Sequence, residues 1–157
     1  MGKRHRAREL ALALLYQLEF YPIEALEVQS GAFWADHPAG PETRSLADEL
    51  VRGTLQHRRP IDDLLASHVE HWILSRLALV DLCILRLAAF ELLFYGKTPW
   101  KVVIDEAIEM AKAFGGKDSG AFVNGVLDKL AALAKITPLP RSDNIIDHPD
   151  YGMWISR

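Results

Sequence analysis

The sequence predicts an all-helical fold, and three observations lead to this fold class. Apolar residues recur at helical spacing along most of the chain, and no stretch shows sustained two-residue alternation bounded by turn residues. Loop-forming residues, such as DHPAGP at 36–41 and the glycine pair at 115–116, divide the periodic stretches into helix-length segments. The composition is that of an ordinary soluble globule, since 50% of the 157 residues are hydrophobic and 25% are charged. A chain of this length is expected to form one domain with a sizeable core.

The first half of the chain is expected to form four helices. Three of them span 9–20, 23–34 and 42–57, and Pro60 suits the first turn of the fourth. The first helix carries two apolar stripes. One stripe can face the core, so the second needs another neighbour, either in the fold or on a partner. The second stripe consists of Leu12, Tyr16 and Phe20.

Three further helices are expected in the second half. A fifth helix within 76–95 should stop at Gly96. Thr98 and Pro99 then fit the N-cap and the first position of a sixth helix. The glycine pair at 115–116 would end that helix with a left-handed cap.

The last helix and the C-terminal segment differ in composition. Asp118 or Ser119 is expected to cap the last helix, in which Gly125 marks a point of close packing. After that helix the sequence contains three prolines and shows no period. We therefore expect a helical domain over 1–136 and an irregular tail over 137–157.

The most apolar run, 72–96, resembles a membrane span in length but carries four ionisable residues. Basic residues and Asp cost about 2.5–3.5 kcal/mol each at a bilayer centre, so a buried helix of a soluble protein is the better interpretation. The start of the chain lacks the pattern of a signal peptide, and we expect a cytoplasmic protein. The four ionisable residues are Arg76, Asp81, Arg86 and Glu91.

Few residues could support catalysis or metal binding. His68 and His71 are three positions apart on a helix, but no third ligand follows them. Cys83, the one cysteine of the chain, excludes an internal disulfide and is expected to be a buried, inert thiol. No convincing nucleophile or pair of acids is present. The sequence therefore predicts no enzyme, no cofactor and no metal site.

The N-terminus is strongly basic in an otherwise acidic chain. Residues 9–157 carry 14 Lys and Arg against 21 Asp and Glu, whereas the first eight residues hold four cations and no acid. A solvated terminus is one interpretation of such a short charge run. The other is a flexible arm that binds phosphate, for which Arg suits because its fork bonds two oxygens. The cations of this basic tip are Lys3, Arg4, Arg6 and Arg8.

A glycine-rich loop, GGKDSGAFVNG at 115–125, precedes and opens the last helix. A helix N-terminus offers free backbone N–H groups to an anion, and Lys117 adds positive charge. Asp118 repels phosphate but could accept hydrogen bonds from a base or a ribose hydroxyl. Phe122 is either a core residue or a platform on which a base stacks.

Four segments of the chain resemble, in the same order, segments of the NusB family of bacterial transcription antitermination factors: ARELALALLYQLEF, LALVDLCILRLAAFEL, PWKVVIDEAIEMAKAFG and DSGAFVNGVLDKLA. The resemblance implies about seven helices in two packed three-helix subdomains, and a non-enzymatic role. Members of the family bind the boxA element of nascent RNA jointly with NusE, a small-subunit ribosomal protein. The complex helps RNA polymerase to read through terminators, notably in ribosomal RNA operons.

The resemblance also implies roles for individual residues. The basic tip would contact RNA phosphate, and Asp118 and Phe122 would flank and stack the bases. Tyr16 and Asp81 match positions at which the family contacts NusE. Gly120 and Ala121 replace positions that are often polar or basic in the family, so the last helix is expected to contribute less to RNA affinity.

Two other roles are compatible with the sequence. NusB-type helical modules also precede the catalytic half of some ribosomal RNA methyltransferases, although 157 residues leave no room for a domain that binds the methyl donor. The other role is a purely structural helical adaptor or homodimer, in which the basic tip is only a solvated terminus.

Overall fold

A computed structural model describes residues 2–68 and 77–136 of the chain. In these ranges it contains seven α-helices, a 3₁₀ turn and a π-helical segment, which confirms the all-helical prediction. The expected tail over 137–157 and His71 lie outside the described residues. The helices are α1 (Lys3–Leu18), α2 (Leu26–Asp36), α3 (Pro41–Gln56), α4 (Arg58–His68), α5 (Leu79–Ala89), α6 (Trp100–Phe114) and α7 (Ser119–Ile136).

The chain divides into two compact units, with the boundary between Arg52 and Gly53 inside α3. The first unit contains α1, α2 and most of α3. Within it α1 packs on α2, and the indole N–H of Trp34 donates a hydrogen bond of 2.9 Å to the carboxylate of Asp48 on α3. The large side chains buried in this unit include Leu10, Leu14, Phe33, Leu50 and Val51.

The second unit is built around α5, α6 and α7. A short loop over 115–118 joins α6 to α7, so the two helices are antiparallel neighbours, and α5 packs against both. The inner face of α7 is buried at the positions that the apolar period indicates: Val123, Val126, Leu127 and Leu130. Residues 82–89 of α5 are all buried, which confirms the interpretation of the most apolar run as a core helix for the part of that run that the structure describes, 77–96. No helix in the described ranges is long and apolar enough to cross a membrane.

Two buried ionisable side chains of the second unit, Arg86 and Glu91, make hydrogen bonds within it. The guanidinium of Arg86 on α5 bonds both carboxylate oxygens of Asp62 on α4, at 2.8 and 2.9 Å. The hydroxyl of Thr98 donates to the buried carboxylate of Glu91 at 2.7 Å. Glu91 lies in the π-helical segment Phe90–Tyr95, which continues α5 to Gly96. Gly96 has a φ of 69°, in the left-handed region that glycine adopts without strain, and so ends the helix as expected.

Some local expectations were wrong. The hydroxyl of Thr98 bonds Glu91, so Pro99 rather than Thr98 is the residue before α6. Gly115 has a φ of −93° and an extended conformation, so α6 does not end in a left-handed cap. A Cβ atom on Gly125 would meet no atom within 4 Å, so this glycine is exposed and is not a point of close packing.

Candidate nucleic-acid interface

The basic tip forms the first turns of α1 and is not a flexible arm. The helix begins at Lys3 instead of Glu9. Ala7 extends the buried face of α1 towards the N-terminus, and the Lys, Arg and Ala residues before Glu9 are good helix formers. Lys3, Arg4 and Arg6 are exposed, whereas Arg8 is only 4% exposed and is packed among the core residues of α1. Three of the four predicted phosphate ligands are therefore accessible in this structure.

Two of the accessible cations have weakly held acidic neighbours. The ammonium of Lys3 bonds Glu42 at 2.7 Å, and this hydrogen bond and charge hold the pKa of that carboxyl below its ordinary value. A guanidinium nitrogen of Arg6 lies 3.7 Å from Glu9. The Lys3–Glu42 pair is exposed and contributes little because water screens it, and the Arg6–Glu9 pair is long, so a phosphate can replace either acid. Arg4 has no ion pair among the described residues.

The position of these cations opposes the stability of their own helix. The N-terminus of a helix carries the positive end of the dipole and favours acids, each by about 0.3–1 kcal/mol at an exposed site. The first turn of α1 contains no acid and its last turn contains no base. The N-cap residue is Gly2, and no side-chain hydrogen bond caps this end of the helix. Free backbone N–H groups and cations thus converge at one end of α1, and a bound anion would relieve their repulsion.

A second basic feature lies in the second unit, where α6 and α7 meet. An open groove of about 470 Å³ runs along this junction. Lys112 enters it from the last turn of α6, and Lys117 from the loop. The groove is lined by Ile108, Lys112, Gly115, Gly116, Lys117, Gly120, Ala121 and Asn124.

Local hydrogen bonds fix the loop that carries the predicted RNA contacts. The backbone N–H of Gly116 donates to the hydroxyl of Ser119 at 2.9 Å, and the carbonyl of Asp118 accepts from the N–H of Phe122 at 3.1 Å. Asp118 is therefore the residue at the N-cap position of α7. A Cβ on Gly115 would lie 2.7 Å from the carbonyl oxygen of Ala111, so this close approach requires glycine.

The three RNA residues predicted in this loop differ in exposure. Lys117 and Asp118 are exposed, as a contact with nucleic acid requires. Phe122 is half-buried, so its ring contacts the protein while part of its surface reaches solvent. This environment suits neither a complete core residue nor a fully presented stacking platform, and the predicted role of Phe122 remains a prediction.

The two predicted NusE contacts lie in different units and differ in environment. Tyr16 on α1 is 39% exposed and packs edge-on against Phe20, with ring centroids 5.5 Å apart. Phe20 is 64% exposed, although Leu12 of the same stripe is buried. Asp81 in the first turn of α5 is half-buried, and its Oδ1 atom is shielded from solvent without a hydrogen-bond partner among the described residues.

Sequence analysis missed Lys112 and Asn124 as members of the groove. A signal was present, because Gly120 and Asn124 are four positions apart on α7 and so lie on the same helix face. The expectation that Cys83 is buried is confirmed, and no cluster of potential metal ligands occurs in the part of the chain that the structure describes.

Comparison with known proteins identifies the family. The model of the NusB family matches residues 5–132. Transcription antitermination protein NusB of Geobacter sulfurreducens is 46% identical over 132 residues, which cover 84% of this chain and 96% of that protein. The solved structure of NusB from T. maritima superimposes with a TM-score of 0.74 at 41% identity, covering 82% of this chain and 90% of the other.

A further solved structure includes binding partners. It is the crystal structure of antitermination factors NusB and NusE in complex with double-stranded RNA, and one of its chains matches with a TM-score of 0.74 at 25% identity. The match covers 85% of this chain and 98% of that chain. From the family match over residues 5–132 and the 46% identity to a curated relative, we conclude that this chain belongs to the NusB family.

Proposed function

We propose that this protein is an RNA-binding transcription antitermination factor that acts with NusE. Together they would bind the boxA element of nascent ribosomal RNA and support read-through by RNA polymerase. One observation carries the RNA-binding part of the proposal: exposed cations occupy the N-terminal turns of α1, where they lower helix stability and where an anion would restore it. The relatives and the NusB–NusE–RNA complex support the choice of RNA and NusE as partners.

The tip of α1 would hold the RNA backbone. Lys3, Arg4 and Arg6 would each neutralise a phosphate, with Arg bonding two oxygens through its fork. The remainder of the chain is acidic, with 14 basic against 21 acidic residues from Glu9 onwards, and repels nucleic acid elsewhere. Binding is thereby confined to the basic surfaces. Arg8 would support the helix from inside and leave the phosphates to its three neighbours.

The loop before α7 would contact bases. Lys117 adds a cation, Asp118 presents a carboxylate that can accept hydrogen bonds from a base or a ribose hydroxyl, and Phe122 offers the exposed part of its ring. This role requires the protein to bind RNA and not to catalyse a reaction on it. We accordingly propose a non-enzymatic, cofactor-free role in the cytoplasm.

NusE would bind where apolar side chains lack a cover. Tyr16 and Phe20 form an aromatic pair on the outer stripe of α1, and Ile23 and Val28 beyond it are also exposed. Aromatic pairs of this kind are typical of the buried centres of protein interfaces. Asp81 would contribute its Oδ1 atom as an acceptor, because this atom receives no hydrogen bond from a donor among the described residues.

The proposal is tested by fluorescence anisotropy of a labelled boxA-type RNA, titrated with the protein in the presence and absence of NusE. We expect weak binding by the protein alone and tighter binding with NusE, because each protein supplies part of the contact surface. A scrambled RNA of equal length and a double-stranded boxA RNA serve as controls. Equal, weak binding to every RNA, with no effect of NusE, would contradict the proposal.

The exposed aromatic pair also favours a second candidate, a helical adaptor or homodimer without an RNA role. In that case Tyr16 and Phe20 would cover a protein surface, while the basic tip would remain solvated. Sedimentation of the protein alone distinguishes the two candidates when combined with the RNA titration. A stable dimer that binds no RNA would favour the adaptor.

A further inference from the structure

We propose that the groove between α6 and α7 holds a single unstacked base of single-stranded RNA, and that Gly120 keeps this site open. The inference rests on the proposed RNA-binding function and specifies how one part of that surface would read the RNA.

The shape of the groove is set by small residues. Gly115, Gly116, Gly120 and Ala121 form half of its lining, so on that part backbone and a single methyl group face the space of about 470 Å³. A Cβ atom added to Gly120 would lie 3.5 Å from Cγ of Lys112 and 3.9 Å from Cγ2 of Ile108. Any longer side chain at 120 would therefore extend over these two residues and occupy the groove.

The chemistry of the lining suits a base better than a phosphate alone. Ile108 and the methylene stem of Lys112 give an apolar wall for a flat ring, and glycine surfaces permit a ring to approach closely. Asn124 supplies an amide, which can donate to and accept from the edge of a base at once. A phosphate would use none of the apolar wall.

The two lysines suit the phosphates on either side of the base. The ammonium of Lys112 is 3.9 Å from Glu109, and both side chains are about two-thirds exposed, so this pair is easily exchanged for a phosphate. Lys117 stands at the loop end of the groove and is also exposed. The carboxylate of Asp118, next to Lys117, keeps phosphate away from the N-cap of α7 and leaves that end to hydrogen-bond donors.

The test combines a filled groove with RNAs that lack one base. Gly120→Leu fills the groove, and Gly125→Leu is the matched control, because it places the same side chain on an open part of the same helix. Each protein is titrated by fluorescence anisotropy with a boxA-type single-stranded RNA and with versions that carry an abasic nucleotide at each position in turn. Asn124→Ala is the second variant, which removes the amide without adding bulk.

We expect Gly120→Leu to weaken binding by about fivefold or more, because the base loses its apolar contacts and its hydrogen bonds with Asn124, while Gly125→Leu leaves binding unchanged. One abasic position should weaken the unaltered protein but not the Gly120→Leu protein, because the same contact is already lost. Asn124→Ala should reduce discrimination among bases at that position.

The outcomes separate this inference from the function on which it rests. If the unaltered protein binds boxA RNA and both Gly120→Leu and Asn124→Ala bind it equally well, the groove holds no base and the proposed function stands. If Gly120→Leu weakens every abasic RNA by the same factor, the inference also fails, since no single position is coupled to the groove. If the unaltered protein binds no RNA, both the function and the inference fail.

Discussion

The salt dependence of RNA binding tests the number of cations that the tip of α1 presents. The structure leaves three of the four basic residues accessible, since Arg8 is only 4% exposed. Each phosphate neutralised on a single strand contributes about −0.7 to the slope of log K against log salt, so the tip should contribute about −2 rather than about −3. Between 50 and 200 mM salt, a slope of −2 lowers the affinity about 16-fold.

Substitution of one exposed cation should reduce that slope by a fixed amount. Arg4→Gln removes the one tip cation that is accessible and has no ion pair among the described residues, so the slope should become shallower by about 0.7. The affinity of this variant then falls only about sevenfold over the same salt range, if the tip alone binds phosphate. The assay is fluorescence anisotropy of a labelled boxA RNA at four or more salt concentrations.

Two controls make the result specific. Lys129→Gln removes an exposed cation on α7, about three turns beyond Lys117, and should leave the slope unchanged. Arg8→Gln should lower the stability of the protein and leave the slope of the folded fraction as it was, because the buried Arg8 reaches no phosphate. An unchanged slope for Arg4→Gln, or a shallower slope for Arg8→Gln in a fully folded protein, would refute the assignment of Lys3, Arg4 and Arg6 as the cations of the tip that bind phosphate.

Three further predictions concern the second unit. Burial lowers the pKa of His57, and this effect outweighs that of its hydrogen bond to Gly53, which raises the pKa. The folded state therefore binds fewer protons than the unfolded state, and stability is lost as pH falls below about 6.5, by at most about 1.4 kcal/mol per pH unit. His57→Phe should abolish this dependence, measured by urea unfolding between pH 5 and 8. Gly53→Ala should destabilise by about 1–3 kcal/mol in the same assay, because a Cβ would overlap the ring of Phe90. Asp62→Asn should destabilise by about 1.5–3 kcal/mol, because it removes the negative charge from the acceptor of two hydrogen bonds that Arg86 donates.

Each of these predictions has a matched control and a result that would count against it. His37→Phe alters an exposed histidine and should leave the pH dependence unchanged; a persistent slope in His57→Phe would assign it to another group. Gly125→Ala should stabilise the protein slightly, since alanine favours a helix more than glycine and the added methyl group meets no other atom. Equal effects of alanine at Gly53 and Gly125 would contradict an overlap between a Cβ at 53 and the ring of Phe90. Asp63→Asn alters an exposed neighbour on α4, and a loss equal to that of Asp62→Asn would remove the ion pair as the cause.

Apolar period and turn residues were sufficient to predict the helices but not all of their ends. The inner face of α7 follows from helical spacing, and the stop at Gly96 of the π-helical segment that continues α5 follows from the left-handed freedom of glycine. The ends that were wrong depend on a side-chain contact outside the helix that was being predicted, or on the tolerance of a helix for repulsive charge. Thr98 bonds a buried carboxylate instead of capping α6, and the helix of the basic tip extends back to Lys3 despite its repulsive dipole.

The candidate site was predictable in its composition but not in its exposure. Charge and glycine content identified the basic tip and the loop over 115–125 as candidates. The sequence did not reveal that Arg8 is buried and Arg4 is accessible. Arg8 and Arg4 differ in exposure because only one side of α1 faces the core. The sequence would reveal this difference only if the helix were predicted to begin at its observed start, Lys3. Lys112 joins the groove only because α6 and α7 are antiparallel, which is a tertiary fact.

The central claim is that this member of the NusB family supports antitermination through boxA and NusE. The most direct measurement is terminator read-through by purified RNA polymerase on a template with boxA upstream of the terminator, with and without this protein and NusE. We predict that read-through rises only when both proteins are present and boxA is intact, and that it falls in Arg4→Gln. Read-through that is unaffected by the protein, or that rises equally on a template with a scrambled boxA, would contradict the account.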